Sequence, residues 1–238
     1  MMRAQSHVVG VALMLGIAVL ALGTLTAGVG TLIDSQTADA DAQRVAEGFD
    51  RAIQGVERTG THSHDLSFTG GQLHTVDRTM RVLNNGTVVA SVEADALVYE
   101  RGDRRVLSLA GAVVRDQDGN TFLTGTPPIT HSERTDVLLV GAPKLNASRF
   151  SLSGGDGVTA TLRTNVSHER RDLGTGEFSV AIETDSPDPF RRFFAEQGAT
   201  VESRTFAGDE VASVVATYPG VRQGYLVVHD LRLEVTHG

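Results

Sequence analysis

The chain has 238 residues, no cysteine and a formal net charge of −8. The absence of cysteine excludes a disulfide framework, thiolate metal sites and thiol catalysis, and the acidic balance disfavours a nucleic-acid partner, which needs a basic face. Lys144 is the only lysine, against twenty arginines, and an acidic, lysine-poor surface of this kind points to a halophile source, an archaeon, although a GC-rich genome also favours arginine.

The first element is an apolar run. Val8 to Ile33 holds no charge and no proline. As a helix it spans roughly 39 Å, against roughly 30 Å of bilayer hydrocarbon. A removed secretory signal has an apolar region of only about 7–15 residues, so this run reads as a single membrane-spanning helix. Arg3 precedes it, and Asp34, Asp39 and Asp41 follow it. The positive flank stays inside, which places the N-terminus in the cytoplasm and the remainder outside the cell membrane. Three Asn-x-Ser/Thr sequons, at Asn85, Asn146 and Asn165, agree with an extracellular glycoprotein. Small residues four apart, Ala12 with Gly16 and Thr24 with Gly28, put one face within close reach of another helix.

The helix is expected to continue beyond the membrane. Ala38, Ala42, Val45, Phe49, Ala52 (or Ile53) and Val56 recur at steps of three and four, and Gly60 is placed to stop the helix. A single helix from about Ser6 to Thr59 would be roughly 80 Å long, apolar all round in its first half and amphipathic in its second. That second half has one stripe to lay against a globular head.

From about His62 the pattern changes to short alternating segments separated by turns, which predicts antiparallel β structure. LHTVDRTMRVL and TVVASV form a hairpin about Asn85-Gly86, ALVYE and RVLSLAG another about Gly102-Asp103, and AVVRDQDGNTFLTG a third about Asp118-Gly119. Further strands are expected at DVLLVGA, RFSLSG, GVTATLRTNV, EFSVAIET, TVESRTF, VASVVATY and YLVVHDLRLEV. One helix interrupts them at DSPDPFRRFFAEQGA. Ser186 or Asp188 caps it, Pro189 suits its first turn, Phe190, Phe193 and Phe194 form its apolar face, and Gly198 ends it. The fold class is therefore α+β: a long hydrophobic and amphipathic helix, then a mostly antiparallel β head with one short helix.

Candidate chemistry is sparse. His62 and His64, two apart, would share one side of a strand and could bridge a metal, but no third ligand is pinned by spacing, and a solvated loop with Asp65 is the expected reading. Asp116-Gln117-Asp118-Gly119-Asn120 opens like a calcium loop, yet its glycine is fourth and Pro127 stands where the loop needs glutamate, so a turn is expected, as it is at Gly154-Gly155-Asp156-Gly157. Arg101-Gly102-Asp103 is the adhesion tripeptide in a position where a hairpin turn needs glycine and aspartate anyway. His229-Asp230 could make a dyad only with a nucleophile that no motif identifies. No cofactor site, no metal set and no enzyme signature emerges.

The N-terminus carries a resemblance. Arg3-Ala4-Gln5-Ser6 is similar to an archaeal prepilin-peptidase site, and Ser6-His7-Val8-Val9-Gly10 is similar to the Ser-Pro-Val-Ile-Gly opening of haloarchaeal pilins. The chain thus resembles the type IV pilin-like proteins of haloarchaea. The resemblance implies cleavage between Ala4 and Gln5, so that residues 1–4 are a leader, 5–59 the transmembrane and assembly helix, and 60–238 the head. It implies as partners membrane lipid, the prepilin peptidase and other pilin-like subunits packed through the helix. Val9 stands where bacterial pilins have glutamate and His7 replaces the proline, so a minor subunit is expected rather than a major one. The alternative is an uncleaved single-pass surface protein whose head binds a ligand or partner.

Overall fold

The computed structural model describes residues 4–54, 56, 58–117, 119–155 and 157–237, with the side chains of residues 4–10, 25–32, 54 and 237 outside the description. The chain begins with α1, Ala4–Gln54. It stops short of Thr59, and Gly60, expected to end it, instead has φ 119° and opens the first strand. Contacts divide the chain inside this helix, into Met1–Ala40 and Asp41–Gly238.

Among the described residues the second unit carries seventeen strands and one further helix. In chain order the strands are β1 (Gly60–Phe68), β2 (Gly71–Val76), β3 (Thr79–Asn84), β4 (Thr87–Glu93), β5 (Ala96–Arg101), β6 (Arg104–Leu109), β7 (Ala112–Gln117), β8 (Asn120–Gly125) and β9 (Ile129–Ser132), followed by β10 (Val137–Lys144), β11 (Ser151–Gly154), β12 (Val158–Gly176) and β13 (Phe178–Glu183). After α2 (Pro187–Glu196) come β14 (Thr200–Arg204), β15 (Ser213–Thr217), β16 (Arg222–Asp230) and β17 (Glu234–His237).

Three sheets result. The first runs β1-β12-β16-β10-β9, with β17 also paired to β12; the second runs β11-β2-β5-β6-β7-β8; the third runs β14-β15-β13-β3-β4. Among the described residues every pairing is antiparallel except β10 with β16. The α+β class expected from the sequence is the observed one.

The three expected hairpins form. Asn85 and Gly86 both take positive φ, 49° and 76°, as the tight turn between β3 and β4 requires. Gly102 does the same between β5 and β6 with φ 59°. Of the third turn, Gly119 has φ 78°, and Asp118 lies outside the described residues, as does Asp156 of the Gly-rich turn.

Other segments differ from expectation. LHTVDRTMRVL breaks at Asp77-Arg78: β2 pairs with β5 in the second sheet, and β3 pairs with β4 and β13 in the third. THSHDLSF is not a solvated loop but part of β1, in register with β12 from Gly60↔Val166 to Phe68↔Val158. Thr61, Ser63, Asp65 and Ser67 occupy the exposed face, while the other face carries the half-buried His62 and His64 and the buried Leu66 and Phe68. β12 itself runs on past Val166 through a charged stretch to Gly176, because its exposed positions tolerate arginine and glutamate. α2 starts at Ser186 as expected, but no side-chain cap forms; the Ser186 hydroxyl accepts from Arg105 at 3.1 Å and meets Asp185 at 3.4 Å.

The second sheet is a central layer buried on both faces. Alternation sends Ala96, Val98, Leu107 and Val114 into one core and Leu97, Tyr99, Val106 and Val113 into another. The first core also takes β13, β15 and the α2 face, with Phe190 and Phe194 fully buried and Phe193 packed against them. The second core takes the end of α1. Ala42, Val45, Ala46, Phe49 and Ala52 of α1, and Val56 just beyond it, are all buried there, against Leu66, Phe68 and Leu73 among others. This is the stripe legible as a three-and-four repeat. Gly48 lets the helix come close, since a Cβ there would lie 2.5 Å from Leu66 Cδ1.

Candidate functional site

Two features carry functional weight: an exposed apolar helix surface, and a cleft on the head. Within the apolar run the described side chains are those of residues 11–24 and Ile33. Val11, Leu13, Met14, Leu15, Ile17, Val19, Leu20 and Leu22 are 59–77 % exposed. At ~100° per residue these positions fall on every side of the helix, so no single stripe faces a core. Thr24 is no polar interruption, because its hydroxyl donates to Leu20 O at 3.1 Å and Ala21 O at 3.0 Å. A Cβ at Gly16 would meet nothing within 4 Å, which leaves the expected Ala12/Gly16 face open. Gly28 lies outside the described side chains, as do those of Ala4, Gln5 and Ser6; Arg3 lies outside the described residues altogether. Among the described residues no helix is long and apolar enough to cross a membrane.

On the head, the outer face of β12, β16 and β10 floors a cleft of about 790 Å³. Direct register neighbours place His168 beside His229 and Arg170 beside Val227, with Leu139 and Gly141 on the next strand. Asp50 and Ile53 of α1 and Thr124 and Thr126 line other parts of the same cleft. His168 Nδ1 and His229 Nδ1 are 2.9 Å apart, with ring centroids at 4.9 Å and planes at 86°. His168 Nε2 is buried and has no hydrogen-bond partner. The two histidines are 61 positions apart, so no spacing rule could have paired them.

The other sequence candidates disperse. His62 and His64 are half-buried on one side of β1, opposite Thr164 and Leu162, and among the described residues no group of three or more His, Asp or Glu is placed to hold a metal. Asp116, Gln117 and Asn120 belong to the β7–β8 ladder rather than to a calcium loop. His229 and Asp230 point to opposite faces of β16, as successive strand residues do. Asp230 instead accepts from Asn146 Nδ2 at 2.9 and 3.1 Å.

The adhesion tripeptide is tied into the fold. Arg101 reaches Asp41 and Thr69, and Asp103 pairs with Arg104 at 2.9 Å. Burial pushes the Asp41 carboxyl up, but hydrogen bonds from the Thr69 hydroxyl and amide, with Arg101 and Arg44 close by, hold it below the ordinary aspartate value.

The sequons differ in setting. Asn85 is exposed at the β3–β4 tip, its Oδ1 accepting from Glu177 N at 3.3 Å. Asn146 is exposed, with its amide nitrogen held by Asp230 as above. Asn165 is exposed within β12, opposite Thr61.

The chain belongs to DUF7289, a family of unknown function whose model matches residues 3–234. No curated protein and no solved structure matches it.

Proposed function

We propose that this member of DUF7289 is a pilin-like structural subunit of an archaeal cell surface, minor rather than major. In this reading the prepilin peptidase removes residues 1–4, and the helix beginning at Gln5 packs against other pilin-like subunits within or beside the cell membrane. The N-terminus is cytoplasmic before cleavage and the β head is extracellular. The observation that carries the reading is the apolar surface of residues 11–24, exposed on all sides. Exposed apolar surface of that extent needs lipid or other helices to cover it. Neither enzyme chemistry nor a nucleic-acid partner is part of the proposal.

The test is the mature N-terminus. Mass spectrometry of the protein from wild-type cells should find a chain beginning at Gln5, and a strain without the prepilin peptidase should retain Met1–Ala4. Residues 1–4 retained in wild-type cells would overturn it.

The cleft favours a second reading, an uncleaved single-pass anchor whose head binds a ligand. Under that reading the protein stays with the membrane when surface filaments are sheared away, whereas a filament subunit leaves with them.

A further inference from the structure

We infer that His168 and His229 form a two-imidazole binding site for a first-row divalent transition metal, opening on the cleft over β12, β16 and β10. The inference is independent of the helix and of how the chain is processed.

The geometry begins with the ladder. His168 and His229 are direct cross-strand partners, so the backbone of two neighbouring strands fixes both rings. Their Nδ1 atoms converge to 2.9 Å. Two nitrogens each 2.0–2.1 Å from one tetrahedral ion stand about 3.3 Å apart. The pair is therefore within a few tenths of an ångström of chelating separation, a change that small side-chain rotations supply.

As a hydrogen-bonded pair the site is unsatisfied. If His168 Nδ1 accepts, its Nε2 carries the proton and is a buried donor without a partner; if Nδ1 donates, Nε2 is a buried acceptor without one. A metal ion uses both Nδ1 lone pairs at once, which neither neutral arrangement does. It leaves the Nε2 proton of His168 in place, at the same cost as the first arrangement.

The cleft, about 790 Å³ in volume, supplies room for the remaining coordination positions, which water fills; Val227 is a short side chain beside the pair, and Pro128 covers Gly141. Charge is mixed there: the exposed Arg170 opposes a cation, and Asp50 faces the same space. Imidazole nitrogen selects Ni²⁺, Cu²⁺ and Zn²⁺ over Mg²⁺ and Ca²⁺, which want oxygen.

Calorimetric titration of the purified full chain with Zn²⁺ should give one site, and Mg²⁺ should give none. H168A and H229A should each weaken Zn²⁺ binding at least tenfold while the far-UV spectrum and melting temperature report an intact fold. The double variant H62A/H64A should bind as the parent does. Cu²⁺ added in equimolar amount should show an electron paramagnetic resonance spectrum with coupling to two imidazole nitrogens, lost in H168N. Should either histidine variant fail to fold, that Cu²⁺ spectrum on the parent decides. No Zn²⁺ binding, binding that survives H168A and H229A, or binding that falls in H62A/H64A would overturn the site.

Discussion

Asp41, on α1, and Arg101, at the end of β5, form an ion pair in which the Asp41 side chain is wholly shielded from solvent. The same carboxylate accepts from the Thr69 amide at 3.0 Å, the Thr69 hydroxyl at 2.7 Å and Arg44 at 2.7 Å. A buried charge so fully partnered is expensive to break, because its removal strands the donors that surround it. Asp41→Asn should cost about 3 kcal/mol in a urea unfolding experiment.

The pH dependence follows from the direction of the shift. The folded carboxyl lies below the ordinary value of 3.8, so its contribution is complete above that value. It fades as pH falls through the folded value. Acid unfolding curves of the parent and D41N should converge at the acid end.

Asp95 behaves in the opposite sense. Burial, with Asp77 and Glu93 nearby, raises its carboxyl to about 6. The native state thus holds a proton that the unfolded chain, near 3.8, has already lost. The ionised group destabilises the fold above about pH 6, and the penalty fades as pH falls towards 3.8. Asn carries no charge and tolerates the positive φ of 46° found there. Asp95→Asn should stabilise the protein by about 2 kcal/mol at pH 7–8, and the gain should vanish near pH 4, as followed by melting temperature across that range.

Gly224 on β16 sits over the fully buried Phe178. A Cβ there would lie 2.4 Å from the ring, which is fully buried in a core where close packing resists displacement. Gly224→Ala should cost roughly 1–3 kcal/mol. Gly155→Ala is the control: nothing lies within 4 Å of its added Cβ, and unfolding should shift by no more than about 0.5 kcal/mol.

Among the sequons, Asn85 stands at an exposed hairpin tip, whereas the Asn146 amide nitrogen is committed to Asp230 and Asn165 lies within a paired strand. Expressed in a glycosylating archaeal host, the chain should carry its added mass at Asn85. Intact-mass measurement should show that mass lost in N85Q and kept in N146Q and N165Q.

What the sequence made legible was local. Asn85-Gly86 and Gly102 announced their hairpins because a tight turn demands positive φ, and the α1 stripe from Ala42 to Ala52 announced its buried face by its period. What escaped was long-range. β1 hid because alternate His, Ser and Asp residues lower its mean hydropathy while only Leu66 and Phe68 reach a core. Asp77-Arg78 divides two sheets, yet apolar alternation on either side is the same in both. The parallel pairing of β10 with β16, and the meeting of His168 with His229, depend on sheet order, which no local pattern encodes.

The buried stretch from Ala42 to Phe49 is at once the last part of a helix and a wall of the second core. Gly60 is therefore a poor place to sever the head: a fragment starting there would leave Leu66, Phe68 and Leu73 facing water, and a soluble head should begin before Asp41.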